Sequence, residues 1–295
     1  MQHGECVAAL DAGGTSFKCA LVTGDGTVLS AWAIPTTTVD ETLARCAAGF
    51  ETAFEAHGKR ATALGIACFG PVDIDPRSAR FGTILGTAKP GWQNAEIGPR
   101  LSAALGLPFF LESDVNAALL AEMEWGAAKG VTSAAYMTIG TGIGAGVYAN
   151  GGLLGHPTHP EFGHIQVKRH AKDQGFPGTC ALHDDCLEGL ASAKAVEARW
   201  GDPASLAADH VAWEIEAFYL AQACLNLYLL ARLERIVLGG GLMQAKHLMP
   251  RVVDAFEALM SDYLPVSGAQ LITAPGCGAQ AGVLGGAIVA LRGLS

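Results

Sequence analysis

At the start of the chain the apolar positions fall into short unbroken runs, Cys6 to Leu10 and Cys19 to Val22. They are separated by Asp11-Ala12-Gly13-Gly14-Thr15 and followed by a second turn at Gly24-Asp25-Gly26. Runs this short, bounded by glycine and aspartate, predict strands joined by tight turns, a meander of hairpins. Between Glu41 and His57 the apolar positions take helical spacing, and Ala63 to Phe69 is a short buried strand closed by Gly70-Pro71. Phe109 to Leu111 predicts another strand. Ser113 and Asp114 then stand immediately before Val115 to Trp125, a run of good helix formers ending at Gly126, so Asp114 is expected in the first turn of a helix.

From Ala134 to Tyr148 two apolar strands flank Gly140-Thr141-Gly142-Ile143-Gly144-Ala145-Gly146. The order strand, glycine turn, strand seen around residues 11 to 15 recurs, which predicts a duplicated architecture although the two halves show no sequence repeat. Residues 155 to 187 lack periodicity and concentrate His, Gly, Pro and Cys, and in a compact chain such a stretch calls for a functional or metal-held explanation. Trp213 to Leu233 predicts a long helix, Arg235 to Leu238 a strand, Gly239-Gly240-Gly241 a turn, Lys246 to Tyr263 a helix, and Ala281 to Leu291 a last helix. The apolar run Ala217 to Ala231 is shorter than the roughly 20 residues of a membrane span and carries Gln222 and Asn226, so it is expected to be a buried helix.

Composition narrows the function. With 295 residues, 50% of them hydrophobic and 16% charged, the chain can bury the cores of two compact domains and is not a disordered polymer. A formal net charge of -9 weighs against nucleic acid and anionic membranes as partners and favours a small-molecule substrate. The segment Met1 to Cys6 has no basic stretch, and the apolar run after it is cut at Asp11, so a cytoplasmic protein is expected. In that compartment the eight cysteines are read as free thiols or metal ligands, with Cys6, Cys19 and Cys68 serving as small buried apolar groups.

No segment matches the P-loop pattern, so a triphosphate would need another cradle. Asp11-x-Gly13-Gly14-Thr15 offers one. Glycines at a hairpin tip bring backbone N–H groups close to phosphate oxygens, the threonine hydroxyl adds a donor, and Asp11 can hold water on a magnesium ion. Residues 140 to 145 also fit the dinucleotide pattern G-x-G-x-x-A, but that pattern must open a helix; here Val147-Tyr148-Ala149 and the turn Asn150-Gly151-Gly152 follow, and the oxidoreductase reading falls.

Cys180-x2-His183-x2-Cys186 places three soft ligands on one loop, and an upstream histidine completes a closed tetrahedral set of the structural zinc type. His159, His164 and His170 compete for the fourth place. Glu161 and Glu188 flank the set, either aimed at hydroxyl groups of a polar ligand or solvated at the surface. Asp114 is a helix cap or a general base, and the helix macrodipole is expected to keep it ionised.

In their shared order these segments resemble the ROK family of sugar kinases and repressors, and among them the bacterial zinc-containing fructokinases. The resemblance is carried by Ala12-Gly13-Gly14-Thr15, Phe69-Gly70-Pro71-Val72-Asp73, Lys89-x-Gly91-Trp92, Asp114-Val115-Asn116-Ala117-Ala118 and Gly140-Thr141-Gly142-Ile143-Gly144. Further along, His159-Pro160-Glu161-Phe162-Gly163-His164, Cys186-Leu187-Glu188-Gly189-Leu190-Ala191-Ser192, Arg199-Trp200-Gly201 and Leu238-Gly239-Gly240-Gly241 extend it.

The resemblance implies an α/β, two-domain, actin-like hexokinase (ribonuclease H-like) ATPase fold with an interdomain cleft. Residues 1–113 would form a small N-terminal domain, with a C-terminal helix over 283–295 packing back on it, and residues 114–282 a larger domain with the zinc loop. It implies ATP and Mg2+ held by Asp11, Gly13, Gly14, Thr15, Thr141, Gly142, Gly240 and Gly241, with Asp114 as catalytic base. A sugar would be bound by Gly70, Pro71, Gly91, Trp92, Ser113, Asp114, Glu161, His164 and Glu188, and structural Zn2+ by His164, Cys180, His183 and Cys186. Fructose leads as substrate, with mannose, glucose, N-acetylmannosamine or a catalytically silent sugar sensor as alternatives, and a homodimer is the expected assembly. With the first phosphate hairpin beginning at Asp11, the reading leaves no room for the N-terminal helix-turn-helix of a repressor. Two departures bear on the sugar. Residue 113 is Ser where the fructokinases usually carry Thr, and the loop Cys180-Ala181-Leu182-His183-Asp184-Asp185-Cys186 lacks the Pro after the first Cys and the Gly after the His.

Overall fold

A computed structural model describes residues 5–87 and 89–294, and the chain divides into two units. The first runs to Lys129 and adds Gly155–His159 and the stretch from Cys277; the second comprises Gly130–Leu154 and Pro160–Gly276. The expected division after residue 113 is thus displaced to Lys129. The reason is packing: the helix that begins at Asp114 lies against the C-terminal helix Ala281–Gly293, with Gly285 close against Ala117.

In the first unit β1 (Cys6–Ala12), β2 (Ser16–Thr23) and β3 (Val28–Pro35) form an antiparallel ribbon. Helix α1 (Val39–His57) follows, then β4 (Leu64–Cys68), α2 (Ile97–Leu105), β5 (Phe109–Ser113) and α3 (Asp114–Trp125). β4 and β5 run parallel to β1, giving the order β3-β2-β1-β4-β5. Helix α1 starts where Thr38 Oγ1 accepts the Glu41 N–H, with Asp40 and Glu41 complementing the helix terminus, and it stops at Gly58 in the left-handed region. Its buried stripe, Leu43, Cys46, Phe50 and Phe54, has the helical spacing expected, and Phe50 packs edge-on to Trp32 at 5.1 Å. Truncating Phe50 to Ala would cost about 3–5 kcal/mol. On β1 and β4 sits the C-terminal helix, admitted by Gly65 and Gly286, whose missing side chains let two backbones touch.

The second unit repeats the plan. β6 (Ala134–Ile139), β7 (Ile143–Ala149) and β8 (Gly152–Leu153) are antiparallel. After α4 (Leu187–Ala191), α5 (Ala193–Trp200) and α6 (Val211–Ala231) come β9 (Arg235–Gly239), α7 (Leu248–Met260), α8 (Gly268–Leu271) and β10 (Ile272–Thr273). β9 and β10 run parallel to β6, giving β10-β9-β6-β7-β8, the same order of ribbon and parallel pair as in the first sheet. The core gathers Met137, Trp213, Tyr219, Leu220 and Phe256. Helix α6 buries most of its residues as far as Tyr228, with Glu214 and Asn226 exposed, and its last turn emerges, with Leu229 and Leu230 43% and 75% exposed, so the expectation of a buried helix fails there. No helix among the described residues is long and apolar enough to cross a membrane.

Candidate active site

β5 runs into α3 without a loop, and Asp114 occupies the elbow. Ser113 has extended backbone, and its Oγ caps the helix by accepting the Asn116 N–H at 3.4 Å, so this hydroxyl is engaged in the cap. Asp114 Oδ1 accepts the Val115 N–H at 2.9 Å. Burial pushes the Asp114 carboxyl up to about 6; the Val115 N–H opposes this, Asp11 adds to it and His159 opposes it. The macrodipole argument predicted the opposite direction, and desolvation overrides it. At pH 7 the group remains mainly ionised, near the pKa best suited to accept a proton.

Beside it in the same unit lies the β1–β2 turn. Gly13 N–H donates to Ser16 O at 3.1 Å, and a Cβ on Gly13 would stand 2.7 Å from that oxygen. Thr36 Oγ1 donates to Gly13 O at 2.8 Å, Lys89 Nζ to Gly14 O at 2.6 Å, and Thr36 N–H to Thr15 O at 3.0 Å. The turn's carbonyls are therefore occupied, while the amides of Gly14 and Thr15 have no partner among the described residues. Such an arrangement suits an anion. Asp11, at the end of β1, is 3.5 Å from Lys18 Nζ, and burial raises its carboxyl.

Gly70-Pro71 leaves the end of β4, and the His159 ring lies 3.9 Å from where a Gly70 Cβ would stand. Gly91 turns the chain with φ 78°. The Trp92 ring is fully buried against Phe17 and Phe69, and its indole N–H donates to Thr37 O at 2.9 Å. The buried ring thus anchors the residue after Gly91 to the segment that leads into α1.

In the second unit the β6–β7 turn is closed by Gly140 N–H to Gly142 O at 2.9 Å and tied to α5 by Ala193 N–H to Gly140 O at 2.8 Å. Glu188, on α4, is half-buried and its Oε2 accepts the Ile143 N–H at 2.9 Å, so it is not a solvated surface acid. It also explains Gly142, where a Cβ would stand 2.6 Å from that oxygen. Glu161 is exposed, just before a short turn over Phe162–His164. A cavity of about 660 Å³ is bordered by Thr141 and Gly241, with Asp202, Leu206, Gln244 and His247 among its walls. Gly240 has φ 94° and sits against the backbone of Ile139.

His164, Cys180, His183 and Cys186 bring one donor atom each to within 4.8 Å of one another. His164 Nδ1 is 3.6 Å from Cys180 Sγ and 3.5 Å from Cys186 Sγ, and His183 Nδ1 is 3.8 Å from Cys180 Sγ. Bond lengths of about 2.3 Å to sulfur and about 2.0 Å to nitrogen give a tetrahedral edge of about 3.5 Å, so the set fits a metal ion. The other two histidines lie elsewhere: His170 stands against Phe218 and Glu214, and His159 is beside Gly70 and Asp114.

Residues that spacing did not suggest support these groups. Arg199, on α5, forms a buried ion pair with Asp173 at 2.6 Å and donates to Leu190 O at the end of α4, which carries Glu188. Glu112 lies buried two residues before Asp114. Neither signals itself by spacing, although Arg199 lies in a quoted motif.

Comparison with known proteins returns a family model described as "ROK family", matching residues 7–292. A fructokinase of Streptococcus mutans is 40% identical over 88% of this chain and 87% of its own, and a fructokinase of Zymomonas mobilis 38% identical over 96% and 95%. Among solved structures, a ROK hexokinase from Thermus thermophilus superposes with a TM-score of 0.82 at 29% identity, covering 98% of this chain and 99% of that one.

Proposed function

The chain belongs to the ROK family, and from that premise we propose that it is a sugar kinase that transfers the γ-phosphoryl group of ATP to a hexose, fructose first among the substrates. The observation that carries this reading is the elbow of Asp114, a carboxylate held near pKa 6 in the unit that also offers the amides of Gly14 and Thr15. Similarity to two fructokinases over nearly the whole chain supports fructose over mannose, glucose or N-acetylmannosamine.

In this reading the amides of Gly14 and Thr15, and in the second unit those of Thr141 and Gly142, are offered to phosphate oxygens, with Gly13, whose own N–H closes the turn on Ser16 O, leaving the approach open. Gly241 borders the adenosine in the cavity beside Thr141, with Gly240 turning the chain just before it. Glu161, Glu188 and His164 Nε2 bond sugar hydroxyls, with Gly70, Pro71, Gly91 and Ser113 bounding the sugar. Trp92, fully buried, acts by anchoring the residue after Gly91. A primary hydroxyl of the sugar attacks the γ-phosphorus, the new O–P bond forms as the bond to ADP breaks, and the hydroxyl proton passes to Asp114. Such a base accelerates the reaction about 10²- to 10⁴-fold, and positioning with charge stabilisation supplies the rest.

Asp11 would hold a water of Mg2+, and His164, Cys180, His183 and Cys186, whose donor atoms lie within 4.8 Å of one another, would hold Zn2+. When bound, the former neutralises phosphate charge and the latter fixes the loop that carries Glu161 and leads to Glu188. Eight free cysteines, seven of them buried, suit a reducing cytoplasm, and family analogy favours a homodimer.

The test is ADP formation with magnesium-ATP and each of fructose, mannose, glucose, N-acetylmannosamine or no sugar. Fructose is expected to stimulate turnover most, and Asp114→Asn to lower it about 10²- to 10⁴-fold while ATP still binds. An active Asp114→Asn variant, or turnover indifferent to every sugar, would sink the reading.

A further inference from the structure

Glu112 is a buried carboxylate, and burying it carries a desolvation cost that an apolar side chain would not. It is 5% exposed at the end of β5, and burial raises its pKa, opposed by Asn116, Ser113, His156 and His159. One oxygen, Oε1, accepts both the Ser113 N–H at 2.8 Å and the Asn116 Nδ2–H at 3.0 Å. Those two donors flank Asp114 on either side. The other oxygen, Oε2, lies 4.0 Å from His156 Nε2, on the segment Gly155–His159 that belongs to the same unit. Asn116 is fully buried, and among the described residues its Oδ1 has no partner and Glu112 is the one side chain that holds its amide.

We propose that Glu112 is the positioning residue of the strand-to-helix elbow, bracing residues 113 and 116 from one oxygen so that the carboxylate of Asp114 between them is held in a single, water-poor orientation. The inference rests on Asp114 being the base. Glu112 acts through backbone and Asn116 geometry and need not touch the sugar. Without it a buried amide of the strand and the Asn116 side chain are both orphaned, and the first turn of α3 is free to relax. A displacement near 1 Å is enough to cost about 10²-fold in rate.

The experiment compares Glu112→Ala, Glu112→Gln and Asn116→Ala in the full chain, by kcat, KM for ATP, thermal midpoint and the acid limb of the pH–rate profile. Glutamine keeps an oxygen for both donors and is expected to stay within about threefold of the parent. Glu112→Ala and Asn116→Ala are each expected to lower kcat about 10- to 100-fold, with KM for ATP within about twofold. Their acid limb should move below pH 6, because water admitted to the elbow lowers the pKa of Asp114. The groups facing that carboxyl are Asp11, His159 and Cys68, and none of them is altered. A merely structural role would lower the midpoint and the active fraction but leave the limb in place, and that result overturns the proposal, as does an unchanged kcat in both alanine variants. Should Glu112→Ala not fold, Asn116→Ala alone decides. An Asp114→Asn variant separates the two claims: if it is active the kinase reading fails, and if it is inactive while the alanine variants behave as the parent, only the positioning role fails.

Discussion

In the first sheet β4 leads to the exposed Gly70 and its neighbour β5 leads into Asp114; in the second, the equivalent β9 leads into the turn at Gly240 and Gly241, and β10 stops at Thr273 with no carboxylate side chain following. The two ribbon turns differ in the same way. The β1–β2 turn is fastened by a hydroxyl and an ammonium on its carbonyls, the β6–β7 turn by a carboxylate on the N–H that follows it. A shared strand order therefore supplies glycine turns twice, whereas the acid suited to proton transfer appears at one edge only. Topology decides where a turn falls, and local burial decides what chemistry it does.

The comparison breaks most sharply where the ribbons are left. β3 reaches α1 through Thr36–Thr38, but β8 reaches α4 only through residues 154–186, which hold the four soft donors. On the proposal that the four donors hold zinc, chelation or Cys186→Ser is expected to expose that segment to proteolysis and to lower sugar-stimulated turnover more than about tenfold, because metal affinity would then be the energy that orders the loop. Hydrogen exchange in β1–β3 should not change. About one zinc per chain in the parent and none in the variant is the accompanying measurement; a metal-free parent with an ordered loop would refute it.

The strands themselves, the long helices and both glycine turns were legible because each has a local signature: short apolar runs, helical spacing, and glycines where φ or close approach requires them. Asp114 was legible as a helix-start residue, but its pKa was not, since the sequence carries the dipole and hides the desolvation that outweighs it. Spacing left three candidates for the fourth ligand because it says nothing of which imidazole returns to the thiols; the family resemblance named His164, and the fold brings that ring to Cys180, His183 and Cys186. Helices α4 and α5 and the two-residue β10 are too short to show a period. Glu112 has no local signature in the sequence; what the fold adds is that its oxygen meets the Ser113 N–H and the Asn116 amide.

A smaller effect separates the two inner parallel strands. Gly240 has φ 94°, and a Cβ there would run into the Ile139 backbone, whereas at Gly70 the nearest atoms to a Cβ are 3.9 Å away. Gly240→Ala is expected to cost about 2–4 kcal/mol of stability by strain and overpacking, and Gly70→Ala less than about 0.5 kcal/mol. Thermal midpoints of the pair would read this directly. Equal losses would mean that the turns after β4 and β9 are fastened alike.

The edge carboxylate has a cost of its own, and its sign can be worked out. Asp114 titrates near 6 in the folded chain against 3.8 for an ordinary aspartate, so between those values the folded state binds the extra proton. Its contribution to stability is present below pH 3.8 and is lost as pH rises through 6, opposite to the usual salt-bridged carboxylate. Activity runs the other way: turnover should be full above pH 7 and fall towards tenfold per unit below 6, as the base becomes protonated. Asp114→Asn should then be inactive yet more stable than the parent at pH 7.5, by about 1–3 kcal/mol, with the difference vanishing near pH 4. Denaturant titrations of both proteins at the two pH values, without nucleotide, would test this. A variant less stable than the parent at pH 7.5 would mean that neighbouring groups repay the burial of the charge, and that the elbow was built for stability.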